Sequence, residues 1–320
     1  MTKERKVVIV GDGAVGSSIA FTLMQSHSAS EIVIIDVNKD KVEGDVLDMV
    51  DGMSFVSVPK VIRAGDYSDC LDAKLVIITA GASQKPGETR LDLLHKNAGI
   101  MNSICDQLKS NLNPEGLVMV VSNPVDILSY LVYRKLSLPS SRVFGSGTVL
   151  DTSRLKTAIS EDTHIDPRNI HTFIVGEHGD SEVAAWSATS VGGLSLTDYC
   201  AKCGKCGGHN MAKLDELHEK VKNAAYEIIA KKGATFYAVA LAVNRIVTAI
   251  LNDENSVLTV STLLLNEFDG QVSDVYMSLP CVVNSRGIEK ILRPNYSENE
   301  LKALVASGTA LKEKIKELGL

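Results

Sequence analysis

Six residues near the start of the chain, Gly11-Asp12-Gly13-Ala14-Val15-Gly16, leave few folds open. A G-x-G-x-x-G is weak evidence alone, because glycines fall at that spacing by chance. Here it follows the apolar run 7–10, which reads as a buried strand, and opens a helical pattern over 14–25. Asp36 ends the next strand-like run, 31–36, about twenty residues after Gly16. In such a turn the first glycine permits the tight bend, the second lets the backbone approach a pyrophosphate, and the third lets helix and strand pack closely. The helix N-terminus then offers N–H groups and partial positive charge to phosphates. Asp36 is placed to accept hydrogen bonds from the adenosine ribose and to repel a 2′-phosphate, which predicts NAD rather than NADP.

The surrounding pattern agrees. Further buried-strand runs at 75–79 and 117–121 alternate with helical patterns at 91–112 and 125–135. Alternation of this kind predicts a doubly wound, Rossmann-type parallel sheet with helices on both faces. The second half is less regular: a short strand at 173–175, a helix at 211–232 with one apolar face, mixed β segments over 252–285 with a turn near 266–270, and a Lys/Glu-rich helix at 297–320. With 320 residues, two domains are expected, an NAD-binding domain over 1–145 and an α+β substrate-binding and catalytic domain over 146–320.

A net charge of −6 argues against nucleic-acid and anionic-membrane partners. The charged N-terminal residues run into an apolar stretch too short for a signal-peptide core, and the most apolar later stretch, 234–251, is broken by Asn244 and Arg245. A cytoplasmic location is expected, with the six cysteines reduced.

Four segments carry the polar residues that matter. The loops 81–90 and 122–126 each follow a buried strand, and ligands bind at that carboxyl edge in doubly wound folds. Asp151-Thr152-Ser153-Arg154 and Gly176-Glu177-His178-Gly179-Asp180 lie in the second half. Singly, Asp151 and Arg154 read as a surface helix pair and His178 as a turn residue; it is the set that points to a site.

The motifs GDGAVG, TAGASQKPGETRLDL, VSNPVDIL, GSGTVLDTSRL, GEHGDSE and KKGAT, in that order, resemble the L-lactate/L-malate dehydrogenase family, and within it the bacterial L-lactate dehydrogenases. The resemblance covers nearly the whole chain. It implies His178 as the acid/base, with a near-neutral intrinsic pKa that suits both directions. Asp151 would orient that imidazole and stabilise its charged form. Arg154 would hold the substrate carboxylate in a two-pronged pair, which a planar guanidinium suits. Arg90 would polarise the carbonyl once its loop closes. Asn123 would hydrogen-bond near the substrate oxygen and the cofactor, and Thr235 would border the pocket. Val15, Lys41, Tyr67, Ala82 and Ser146 match positions lining the NAD site.

Gln84 bears on the substrate. In the family a malate enzyme carries arginine at the matching position, to pair with a second carboxylate. A neutral glutamine leaves that carboxylate without a countercharge, at a desolvation cost of several kcal/mol, roughly. Pyruvate brings only a methyl group, so the expected reaction is (S)-lactate + NAD+ = pyruvate + NADH + H+. A related dehydrogenase for a longer aliphatic keto acid is the alternative. A non-catalytic NAD-binding protein would have no reason to keep His178, Asp151, Arg154 and Arg90 together.

The resemblance also implies a homotetramer at the end of fermentative glycolysis, with a fructose 1,6-bisphosphate effector held by an arginine and a histidine. The histidine matches His171, but the arginine position is Lys156. Lysine keeps the charge and lacks the fork, so weakened or absent activation is expected. Cys200, Cys203, Cys206 and His209 have gaps that could ligate zinc. Closed zinc sites usually use two separated pairs, so these residues read as packing or loop positions and no metal is expected.

Overall fold

The computed structural model describes residues 5–82, 89–203 and 211–320. Its first part runs β1 (Lys6–Val10), α1 (Ala14–Gln25), β2 (Glu31–Ile35), α2 (Lys39–Asp51), β3 (Val61–Ala64), β4 (Leu75–Ile78), α3 (Arg90–Asn111), β5 (Leu117–Val120), α4 (Val125–Leu136) and β6 (Val143–Gly145). These six strands pair in parallel in the order β3-β2-β1-β4-β5-β6, a doubly wound sheet. The apolar runs are continuous because both faces are covered. Along β1, Val7 and Ile9 enter one core with α1 and α2, while Val8 and Val10 enter another with α3 and α4.

The second part begins with α5 (Val149–Thr163) and continues through short strands: β7 (Ile170–His171), β8 (Ile174–Val175), β9 (Val183–Ala184), β10 (Ser190–Val191) and β11 (Leu194–Ser195). It ends with α6 (Leu196–Cys203), α7 (Met211–Lys232), α8 (Tyr237–Leu251), β12 (Ser256–Leu264), β13 (Val275–Asn284), β14 (Gly287–Ile291) and α9 (Glu298–Glu317). Strands β12, β13 and β14 are antiparallel, and β12 pairs with β6 through Ser261 and Gly145. The sheet therefore runs unbroken through nine strands across position 145. The apolar stretch within 234–251 is explained by the position of α8: Val243, Ile246, Val247 and Ile250 share a core with Ile19 and Leu23 of α1. Among the described residues no helix is long and apolar enough to cross a membrane.

Candidate active site

The turn between β1 and α1 is shaped by exclusion. Gly11 has φ +111° and a Cβ there would collide with the Ala80 backbone; one at Gly16 would collide with the Gly11 carbonyl oxygen. Gly13 is the opposite case, since its Cβ would meet nothing within 4 Å. Gly13 caps α1 without a side-chain hydrogen bond, and the first turn holds no acidic residue. The leading N–H groups of a twelve-residue helix therefore remain for an anion, beside a glycine that leaves room for it. Asp36 follows β2, and its carboxylate accepts from the N–H of Asp12 at 2.7 Å and of Asn38 at 2.9 Å. A carboxylate has about four acceptor positions, so capacity remains for ribose hydroxyls. These features fit a dinucleotide.

From this turn a run of contacts follows the carboxyl edge of the sheet. Thr79 donates to the Gly11 carbonyl at 2.7 Å, and Ser122, past β5, donates to the Ala80 carbonyl at 2.7 Å. Asn97 of α3 accepts from the Ala82 N–H at 2.7 Å and donates to the Asn123 carbonyl at 2.9 Å, tying the two loops together. Asn123 is exposed and precedes a cis peptide to Pro124. Three residues further on, buried Asp126 in the first turn of α4 accepts from the His178 backbone N–H at 2.8 Å and from the Ser261 hydroxyl at 2.5 Å. Burial pushes the Asp126 carboxyl up to about 6, against the pull of those two donors.

His178 lies in the loop between β8 and β9, which an isolated bridge from Gly176 anchors to Ser278 of β13. Its Nδ1 is 2.6 Å from Asp151 Oδ2, while Arg154, one turn along α5, donates to Asp151 Oδ1 at 2.8 Å. Asp151 is thus shared between an imidazole and a guanidinium, with its own side chain only 4% exposed. Burial alone would lower the imidazole pKa; the charge of Asp151 and its hydrogen bond override this and hold His178 up at about 9. Asp151 responds in reverse, since burial would raise it and His178 and Arg154 together bring it down. The imidazole remains a quarter exposed, so it can meet a solute.

Of the other sequence-predicted residues, Val15 packs beside the α1 core, Tyr67 is half-buried against the β-sheet core below α3, and the Ser146 N–H donates to Val120 O at 2.8 Å. Lys41 reaches Asp12 at 3.0 Å and Asp45 at 2.7 Å. Thr235 lies half-buried in the link between α7 and α8. Arg90 opens α3 behind the Thr89–Asp92 capping box; its side chain, and all of Gln84, lie outside the described residues. Lys156 lines a cavity of about 490 Å³ with Thr172 and Arg245, and burial, then Arg245, lowers its pKa. His171 is exposed on β7 and is not part of that lining. Cys200 is buried on α6, whereas Cys206 and His209 lie outside the described residues, as does the Cys203 side chain. Among the described residues no three His, Cys, Asp or Glu side chains gather as a metal site.

Sequence reasoning gave no role to Asp126, Asn97 or the pair of Glu182 and His218. Glu182 is buried at the end of the His178 loop, just before β9, with Oε1 3.6 Å from His218 Nε2 on α7. Burial raises its carboxyl, His218 partly offsets this, and its charge in turn helps to raise His178. The available signal was a polar residue inside an apolar helical run, as with Asp126 in VDILSYLV.

An anion-binding helix start and a carboxylate-backed imidazole, joined along one sheet edge, define a dinucleotide-dependent dehydrogenase that moves a proton with the hydride. The model of the lactate/malate dehydrogenase NAD-binding domain matches residues 5–145, and that of the lactate/malate dehydrogenase α/β C-terminal domain matches 148–319. The L-lactate dehydrogenase 1 of Clostridium acetobutylicum is 52% identical, over 98% of this chain and 99% of its own. The L-lactate dehydrogenase of Acetivibrio thermocellus is 48% identical, over 99% and 98%. Among solved structures, the ligand-bound minor L-lactate dehydrogenase of Enterococcus mundtii superposes with TM-score 0.94 at 44% identity, covering 99% of each chain. A lactate dehydrogenase from a Medee basin deep-sea metagenome reaches TM-score 0.95 at 40% identity over the whole of both chains. The chain belongs to the lactate/malate dehydrogenase family. It is an NAD-dependent oxidoreductase.

Proposed function

We propose that this chain catalyses the reversible reduction of pyruvate to L-lactate, (S)-lactate + NAD+ = pyruvate + NADH + H+. NADH, when bound, supplies the hydride for the keto carbon. The remaining work falls to the chain. His178 as imidazolium gives its proton to the keto oxygen and, in the other direction, takes it from the lactate hydroxyl. Asp151 keeps the imidazole oriented and stabilises its charged form, so the proton is held at neutral pH. Arg154, fixed by one N–H to Asp151, has four further N–H donors for the substrate carboxylate. Arg90, carried by the family resemblance, stabilises negative charge on the keto oxygen. Asp126 and Asn97 act as positioning residues, one on the His178 loop and one on the loops at Ala82 and Asn123.

The observation that supports this reading most is the shared carboxylate of Asp151, 2.6 Å from the imidazole and 2.8 Å from the guanidinium. One group moves a proton and the other holds a carboxylate, and a 2-keto acid needs both on adjacent carbons. Gln84 favours pyruvate over a dicarboxylic keto acid, because it offers a second carboxylate no charge. We further propose a cytoplasmic enzyme of fermentative glycolysis, with an NAD-binding domain over 1–145 and a substrate-binding domain over 146–320. A homo-oligomer, in the family a tetramer, is supported by the exposed apolar side chains of Phe21, Leu47, Tyr237 and Leu241 on α1, α2 and α8. Fructose 1,6-bisphosphate activates it weakly if at all, because Lys156 replaces the arginine fork.

NADH oxidation with pyruvate, oxaloacetate and 2-oxoisocaproate in parallel, with and without fructose 1,6-bisphosphate, tests the proposal. Pyruvate is expected to be preferred by about two orders of magnitude or more. Preference for the bulkier acid would move the error to the pocket, and preference for oxaloacetate would remove the role given to Gln84. Turnover of none of them would overturn the assignment. Saturable activation at low micromolar bisphosphate would contradict the reading of Lys156.

A further inference from the structure

Asp12, the residue between the first two glycines of the turn, is not needed for the turn itself. Its side chain is fully buried, yet Oδ1 accepts no hydrogen bond. Oδ2 is 3.0 Å from the Lys41 ammonium, which Asp45 holds from the other side at 2.7 Å. The backbone N–H of the same Asp12 donates to Asp36, so a third carboxylate stands beside the first. Two carboxylates therefore hold one ammonium where the adenosine ribose is expected, and a third, Asp36, lies alongside without contacting it.

The local backbone would otherwise suit an additional phosphate. The thirteen-residue helix α2 starts three residues past Asp36, capped by Asn38, and Lys41 lies in its first turn with Asp40. A helix N-terminus and an ammonium form an ordinary phosphate-binding pair. Here the ammonium is already engaged, and one of its partners is a buried carboxylate that water screens poorly.

We propose that Asp12 is a second determinant of NAD over NADP, which works by holding Lys41 away from a 2′-phosphate. Asp36 repels that phosphate directly; Asp12 withholds the cation that would attract it. The two effects are separable, because one acts through charge at the ribose and the other through Lys41. This inference rests on the reading of this edge as the adenosine end of the NAD site. Burial raises the Asp12 carboxyl and Lys41 pulls it back, in keeping with a carboxylate kept in place by that contact.

Fluorescence titration of NADH and NADPH against wild type, Asp12→Asn, Lys41→Met and the double variant tests it without recourse to turnover. Asp12→Asn is expected to improve NADPH binding relative to NADH by about ten-fold, and Lys41→Met added to it is expected to abolish that gain. Lys41→Met alone is expected to move the ratio by less than about two-fold, since the cation is already engaged. An unchanged ratio in Asp12→Asn, or a gain that survives loss of Lys41, would overturn the proposal. Should Asp12→Asn fail to fold, Lys41→Met alone decides: NADPH weakened more than about ten-fold would show that Lys41 already serves the phosphate, and would also overturn it. Wild type that binds neither nucleotide would instead remove the cofactor reading on which the inference rests, so the two failures are distinct.

Discussion

The glycine turn and the His178 loop lie on the same edge of the sheet and are built in opposite ways. At the turn, Gly11, Gly13, Gly16 and Asp36 fall within one strand–helix–strand unit, and what they offer is mostly backbone: a close approach, a helix start, and one carboxylate held by two N–H groups. Around His178 the working groups come from α4, α5, the β8–β9 loop and α7, and they are buried charges that set one another's protonation. A site that binds through the backbone can be spelled by one short motif. A site that moves a proton needs charges drawn out of water and paired, and the chain gathers these from distant segments.

The sharpest way to separate the two regions is to remove His178. His178→Asn is expected to lower kcat for pyruvate by about three orders of magnitude while NADH binding, followed by fluorescence, stays within about three-fold of wild type. Loss of both together would mean that the regions are not independent. Asp36→Ala should give the reverse: NADH binding weaker by about ten-fold and kcat nearly unchanged at saturating cofactor. The smallest effect is expected at Glu182. Its charge supports the His178 imidazolium, so Glu182→Gln should move the alkaline limb of pyruvate reduction to lower pH by a few tenths of a unit, roughly, without altering its height. A limb that moves up instead would reverse the sign assigned to that carboxylate.

The same contrast governs what could be read from sequence. The turn, strands β1, β2, β4 and β5, and helices α1, α3, α4, α7 and α9 were legible, because each shows an apolar run or stripe bounded by glycine, proline or polar residues. Helix α2 gave little pattern, since Val42 and Met49, two turns apart, are its only buried side chains. Helix α5 presented itself as a polar segment holding Asp151 and Arg154. The pairing of Gly145 with Ser261, which carries the sheet past β6, joins residues too far apart for periodicity to reveal. His178, Asp151 and Arg154 emerged as a set through family motifs, whereas Asp126 and Glu182 did not, because their roles depend on burial next to a loop that only the fold brings near.

The most direct test of the His178–Asp151 account is the pH dependence of kcat/KM in both directions, for wild type and Asp151→Asn. With His178 held up at about 9, the imidazolium persists through neutral pH; pyruvate reduction should be flat there and fall above about 9, while lactate oxidation rises toward the same value. Without the Asp151 charge, burial is opposed only by the smaller contributions of Asp126 and Glu182, so both limbs should move to lower pH by about two units or more, and reduction at neutral pH should fall with them. Limbs that stay in place in Asp151→Asn would contradict the account, because some other group would then be carrying the proton.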